Sequence, residues 1–409
     1  MDFNDTPREA EFRTEVQAWL KENSPAFVVN NSTRASLDPD EGLKLGKGWQ
    51  AAKADAGYAC MTWSDEYGGR SAPPIEQVIY DQEEAKYELP VGYFGIGLGM
   101  CGPTMATYAT EDQKKQFLPK MVRGEDIWCQ LFSEPAAGSD VAGLQMTSKQ
   151  EGDDWILNGQ KVWTSGAHYC DWGIIVTRSD PTVPKHKGLT FFFLDMKSPG
   201  IDIRPIEQIS GQSNFNEVFF ENVRVPDSQR LGAIGEGWGV AITTLMNERL
   251  AVGSAPPPFI TDLMDFAREV ELENGPAIDD TAVRQKLADW YVESQGLKFG
   301  KFRMMTALSK GQTPGPEASI TKVVSATKLQ DMCAFAMELQ DMGGTLMEED
   351  VTPHAGFFQD GFLYAPGFRV AGGTDEILRN IIAERVLGMP QDIRVDKTVA
   401  FRELPSGAQ

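Results

Sequence analysis

The feature that most constrains this chain is a change of period along it. Between about Glu125 and Gly235 the apolar residues come in short runs: IWCQLFS, DWILNGQKVW, WGIIVTRS, GLTFFFLDM, IDIRPI and EVFFENVRV. These runs are rich in β-branched and aromatic side chains, and EGDD, SDPTVPK and KSPG supply turn signals among them. Short strands at that spacing predict an antiparallel barrel or sandwich. On both sides of this stretch the apolar spacing returns to the helical period. Upstream, Thr6-Pro7-Arg8-Glu9 combines a capping box with Pro at the first helical position, and Phe12, Val16, Trp19 and Leu20 follow on one face. A second helix is predicted from Pro74 to about Leu89, and a third from the Thr110-x-x-Gln113 box to Gly124. Downstream, helical stretches fall near 238–254, 259–273, 280–310, 316–342 and 374–388, punctuated by PPP at 256–258 and GQTPGP at 311–316. The expectation is an α+β multidomain chain with an N-terminal helical domain (1–125), a central β-domain (126–235) and a C-terminal helical bundle domain (236–409).

Composition removes several function classes. A net charge of −21 speaks against nucleic acid as a partner, because phosphate binding needs a basic face. No run of eighteen apolar residues is present, so membrane insertion is not expected. The start, MDFNDTPREAEF, lacks the basic and apolar regions of a secretion signal, and a cytoplasmic protein is the expectation. Five scattered cysteines without a CxxC pair and three histidines far apart in sequence point to reduced thiols and no metal site.

Four segments carry candidate chemistry, and each has a plain structural reading beside the functional one. In Gln130-Leu131-Phe132-Ser133-Glu134-Pro135-Ala136-Ala137-Gly138-Ser139-Asp140 a strand runs into a turn of small residues. Its backbone N–H groups, Ser133 and Ser139 can meet a phosphate; read alone, it is first of all an ordinary strand-to-loop turn. In Gly159-Gln160-Lys161-Val162-Trp163-Thr164-Ser165 a Trp beside two hydroxyls can wall a flat heterocycle, or the Trp can belong to a core. Thr374, after Gly372 and Gly373, is an N-cap with open N–H groups, or the start of any helix after a glycine loop. Glu248-Arg249, inside an otherwise apolar helix, is either a solvated stripe or a buried functional pair. In YFGIGLGM, residues 93–100, Gly95, Gly97, Gly99 and Met100 either line a cavity or permit close helix packing.

Taken together and in this order, the segments resemble the acyl-CoA dehydrogenase family. WSDEYGGR (63–70), GPTMATYATEDQKKQFLPKMVRGE (102–125), LFSEPAAGSDVAGL (131–144), NGQKVWTSGA (158–167), FNEVFFENVRVP (215–226), MNERLA (246–251) and GGTDEILRNIIAERVLG (372–388) carry the likeness over nearly the whole chain. The resemblance implies a middle β-domain, a C-terminal four-helix bundle and FAD as cofactor. It implies that Gln130, Phe132 and Ser133 run beside the flavin, with Ser139 reaching the pyrophosphate or nearby ligand groups. Trp163, Thr164 and Ser165 would cover the other side of the flavin. Gln340, Gly343 and Gly344 match the family's flavin strip from a neighbouring subunit, and Thr374 and Glu376 would approach FAD from the last long helix.

Two departures from the family pattern matter. The arginine-rich run that usually holds FAD phosphate is replaced by ENGPAIDDTAVRQKLADWY, where Arg284 is the available substitute. Many members carry a glutamate base immediately before the Gly-Thr of the late motif, and that position here is Gly372. Long-chain and isovaleryl-type members instead place the base in the bundle helix before Arg-Leu, and Glu248-Arg249-Leu250 matches that arrangement. The resemblance therefore implies α,β-dehydrogenation of an acyl-CoA to the trans-2-enoyl-CoA, with Glu248 as catalytic base. Ser139, Arg249, Gly372 and Gly373 would border the substrate, with the Gly372 N–H on the thioester oxygen. The base position suits long, branched or ring-bearing acyl groups. Electron-transferring flavoprotein is the expected acceptor and a homotetramer the expected assembly. An acyl-CoA oxidase using oxygen, or one subunit of a heteromeric dehydrogenase, are the alternatives.

Overall fold

The computed structural model describes residues 5–29, 39–251, 259–309, 315–348, 351–391, 393–394 and 396–404. The chain divides into two compact units, one holding the described residues of 1–207, 213–248 and 393–409, the other those of 208–212 and 249–392.

The first unit begins with helices α1 (Pro7–Asn23), α2 (Pro39–Asp55), α3 (Pro74–Glu84), α4 (Gly102–Tyr108) and α5 (Glu111–Val122). Both capping boxes form, Thr6 with Glu9 and Thr110 with Gln113, so each helix starts where its orphan N–H groups are satisfied. Phe12, Val16 and Leu20 are buried with Trp49, Tyr58, Ile79 and Tyr80. In YFGIGLGM, Gly97 is buried, and a Cβ there would stand 3.5 Å from Trp128, an ordinary packing contact.

The strands are β1 (Trp128–Leu131), β2 (Thr147–Glu151), β3 (Asp154–Ser165), β4 (Trp172–Arg178), β5 (Leu189–Asp195), β6 (Ile201–Ile206), β7 (Phe215–Pro226) and β8 (Arg230–Leu231). They form one sheet in the order β6-β7-β3-β2-β4-β5-β8, with β1 beside β4. The sheet is mixed rather than purely antiparallel: β1 runs parallel to β4, and β2 meets β4 through one parallel bridge. A parallel neighbour cannot be reached by a tight hairpin. Here the antiparallel β2–β3 pair occupies the chain between the parallel strands β1 and β4.

Both sheet faces are covered, which explains the unbroken apolar run of β5. Leu189, Phe191 and Phe193 face a core with Met105, Phe117, Leu118 and Met121 of the helices, and Trp128, Phe132, Ile174 and Val176 join it. Phe192 and Leu194 face the opposite core with Cys129, Leu131, Leu157, Ile175, Val218 and Val223. A strand buried on both faces loses the apolar–polar alternation of a half-exposed one. Helix α6 (Gly237–Ala251) adds Val240 and Ala241 to the first of these cores.

The second unit is a helix bundle of α7 (Ile260–Glu269), α8 (Thr281–Ser309), α9 (Ala318–Leu339) and α10 (Phe357–Val370), followed by α11 (Asp375–Ile381). Leu263, Phe266, Leu287, Met332, Phe335 and Phe358 form its shared core. Helix α10 was not predicted from sequence, because Gly361, Pro366 and Gly367 read as breakers. Its buried face, with Phe358, Ala365 and Phe368, packs on α9 and outweighs that propensity. The last predicted helix continues past Ile381 as a wider turn through Val386.

Candidate active site

Strand alternation sets the first element of the site. Trp128 and Phe132 lie on the helix-covered face of β1, and Gln130 between them shares that face, while Cys129 and Leu131 point into the opposite core. A primary amide on an apolar face needs partners. Gln130 Nε2 donates to Glu248 Oε2 at 3.3 Å, whereas its Oε1 is buried without a hydrogen bond. Glu248 reaches β1 because α6 is fixed one turn earlier. The Thr244 hydroxyl lies 2.9 Å from that of Thr104 on α4, and Thr243 lies 3.0 Å from Tyr108 Oη. The side chains of Arg249 and Leu250 lie outside the described residues.

Beyond β1 the chain turns at Ser133-Glu134, and a buried ion pair ties this turn to β3. Lys161 Nζ donates to Phe132 O at 3.0 Å and to Glu134 Oε1 at 2.8 Å. The Glu134 carboxylate also accepts the N–H groups of Gln145 and Met146. Burial pushes the Lys161 pKa down, and Glu134 opposes that shift. Neither residue was singled out from sequence. A legible signal existed, since Lys161 is in phase with the inward Trp155 and Leu157 of the same strand.

One residue further, Val162 N–H donates to Ser133 O at 2.9 Å, and β3 then breaks register with β7 between Lys161 and Thr164. At this bulge Trp163 has φ of 59°, a left-handed backbone that a bulky residue adopts only under constraint. Its indole is 59% exposed and touches Phe215 edge-on, so it is no core residue. Thr164 is buried with its hydroxyl unpartnered, while Ser165 is half-buried. Strain, an exposed aromatic plane and unpartnered buried atoms, among them Thr164 Oγ1 and Gln130 Oε1, occur on these two strands, as a flat polar heterocycle requires.

Ser139 is exposed on the loop after Glu134. Its neighbour Asp140 pairs with Lys185 at 2.8 Å, and Lys185 also reaches Asp396 near the chain's end at 2.5 Å.

In the second unit, Thr374 caps α11 by accepting the Ile377 N–H at 3.2 Å, after Gly372 and Gly373 with φ of 66° and 95°. These left-handed positions favour glycine. Lys322 Nζ donates to Gly373 O at 2.7 Å and Arg369 O at 2.9 Å, while Arg369 Nε donates to buried Asp375 at 2.8 Å. Arg369, Thr374, Asp375 and Glu376 border an open groove of about 280 Å³. Gln340 ends α9 and accepts from Gln359 Nε2 at 3.1 Å. Gly343 is half-buried, and Gly344 has no room for a side chain, as a Cβ would stand 2.3 Å from Met337 O. Arg284 is exposed on the first turn of α8.

Residues 6–125, 129–223 and 235–387 match the N-terminal, middle and C-terminal domains of acyl-CoA dehydrogenases, respectively. The chain belongs to the acyl-CoA dehydrogenase family. It is 34% identical to the acyl-CoA dehydrogenase IpdE1 of Mycolicibacterium smegmatis over 94% of this chain and 98% of that protein. It is 39% identical to FadE34 of Mycobacterium tuberculosis over 84% of this chain, a match that spans only 46% of that relative. Among solved structures, the Tcur3481-Tcur3483 steroid ACAD superposes with a TM-score of 0.80 at 25% identity, covering 96% of this chain and all of that one. The ChsE4-ChsE5 complex from Mycobacterium tuberculosis superposes at 0.79 with the same identity and coverage. This acyl-CoA dehydrogenase homologue is an FAD-dependent oxidoreductase of lipid catabolism. Among the described residues no cluster of His, Cys, Asp or Glu is placed to hold a metal, and no helix is long and apolar enough to cross a membrane.

Proposed function

We propose that this chain dehydrogenates a bulky, ring-bearing acyl-CoA to its trans-2-enoyl-CoA, with Glu248 as base, as one of two different chains in a heteromeric enzyme. The observation that carries the reading is Glu248 held toward β1 by Gln130, together with glycine at 372, the seat of the base in other members. A glutamate in that second seat would adopt φ of 66°, a conformation strained for any side chain.

In the mechanism, bound FAD would supply the acceptor for a hydride leaving the β-carbon. Gln130, Phe132 and Ser133 would line one side of the flavin, and Trp163, Thr164 and Ser165 the other, with Thr164 Oγ1 free to enter a hydrogen bond. Ser139, Gln340, Gly343, Gly344, Thr374 and Glu376 would hold its remaining groups, and Arg284 is the cation available for its phosphate. A Glu248 carboxylate oxygen takes the α-proton as that carbon acquires charge. The Gly372 N–H would donate to the thioester oxygen, where negative charge accumulates. Ser139, Arg249 and Gly373 would border the thioester. Electron-transferring flavoprotein is the proposed acceptor.

The heteromeric reading draws support from relatives whose solved structures pair two different chains, one of them described as a steroid enzyme. It also suits a chain in which the family's arginine-rich phosphate run is missing. Two measurements test the proposal. Anaerobic mixing with butyryl-, palmitoyl-, isovaleryl- and steroid-acid CoA thioesters should bleach the flavin fastest with the ring-bearing thioester. Fastest bleaching by butyryl-CoA would overturn the substrate assignment. Purified alone, the chain should carry less than one FAD per polypeptide, and a fully loaded homotetramer that turns over would overturn the heteromeric assembly.

A further inference from the structure

Gln130 has a position that packing alone does not explain. It sits on the face of β1 that carries buried Trp128 and Phe132, against a core to which α6 contributes Val240 and Ala241. An apolar residue of similar length would fill that place without leaving a buried acceptor unsatisfied, and Gln130 Oε1 is such an acceptor. What the amide provides is a donor: Nε2 lies 3.3 Å from Glu248 Oε2.

Several titratable groups on the surrounding elements have partners of their own. Tyr108 of α4 is bonded to Thr243, and the Cys101 thiol points to Cys129 O. Cys129, on the opposite face of β1, directs its thiol to Met196. Lys161 of β3 is paired with Glu134. Arg178 of β4 donates to the backbone carbonyls of Ala142, Leu144 and Lys185. On α6 itself the other charged residue is Arg249.

We infer that Gln130 is a positioning residue for Glu248: its amide N–H aims the carboxylate and favours the ionised form that can accept a proton. The inference rests on Glu248 being the base. A hydrogen bond donated to a carboxylate stabilises its charged form, so its loss raises the pH at which the group titrates. It also removes a restraint on rotation about the glutamate side chain, which lowers the fraction poised to react.

The test uses the flavin-loaded enzyme with three variants: Gln130→Leu, which suits the apolar face, Gln130→Glu, and Glu248→Gln. The protonated carboxyl stretch of Glu248, identified as the infrared band lost in Glu248→Gln, is titrated against pH without any substrate. Its midpoint should rise by about one pH unit in Gln130→Leu. It should rise further in Gln130→Glu, where a second carboxylate disfavours the charge. A midpoint unchanged in both variants would overturn the inference and leave Gln130 as packing. In parallel, exchange of the α-hydrogens of 3-thiapalmitoyl-CoA with D2O reports proton abstraction without oxidation. Exchange at the wild-type rate in Glu248→Gln would remove Glu248 as base, while the infrared titration would still decide whether Gln130 holds its carboxylate.

Discussion

Lys161 Nζ lies 2.8 Å from Glu134 Oε1 with both side chains buried, and this contact joins the turn just past β1 to the strand that bulges at Trp163. Removing one partner strands the other charge in the core. Lys161→Met should therefore destabilise the protein by about 3–5 kcal/mol, whereas Lys161→Met combined with Glu134→Leu should cost less than the single change. Denaturant unfolding of the single and double variants checks this, read as a double-mutant cycle.

Thr164 and Trp163 separate ligand binding from folding. The Thr164 hydroxyl is buried without a partner, so Thr164→Val should leave the stability of FAD-free protein unchanged or slightly higher. Trp163→Gly removes a mostly exposed indole and relieves a left-handed backbone, and stability should change by less than about 1 kcal/mol. Both variants should nonetheless retain FAD less well, by roughly tenfold for the hydrogen bond that Thr164→Val removes. Thermal unfolding of the FAD-free chain beside a flavin-release assay distinguishes the two effects.

Glu248→Gln should keep a yellow, FAD-loaded protein and lose flavin reduction by acyl-CoA by roughly 10³-fold or more, the contribution of a general base. Stopped-flow absorbance at the flavin band is the measurement, and near-normal bleaching would contradict the assignment.

Acid stability should depend on Asp227. Arg230, and then the Trp155 N–H, hold its carboxyl below the ordinary value of 3.8. A depressed folded-state pKa contributes stability above the unfolded value, and that stability is lost as pH falls through the folded one. The window therefore lies below pH 3.8. Asp227→Asn should flatten the acid limb of the stability curve there relative to wild type, as followed by denaturant midpoints across that range.

Helix starts and strand positions were readable because their causes are local. Thr6 and Thr110 cap their own helices, and the runs around Trp128, Trp172 and Phe191 are apolar enough to be strands in any context. Motif order along the chain was enough to indicate the family and FAD, and the vacancy at Gly372 is the reason Glu248 is the proposed base. Helix α10 was not readable, since Pro366 and two glycines oppose it locally and only burial of Phe358, Ala365 and Phe368 overrides them. The parallel placement of β1 was equally hidden, because register between distant segments is set by which faces must be covered. The pairing of Lys161 with Glu134 and of Gln130 with Glu248 joins residues 27 and 118 positions apart. Local pattern specifies where a chain coils or extends, but whether a buried charge or amide meets its partner is decided only when the strands and helices pack and water is excluded from between them.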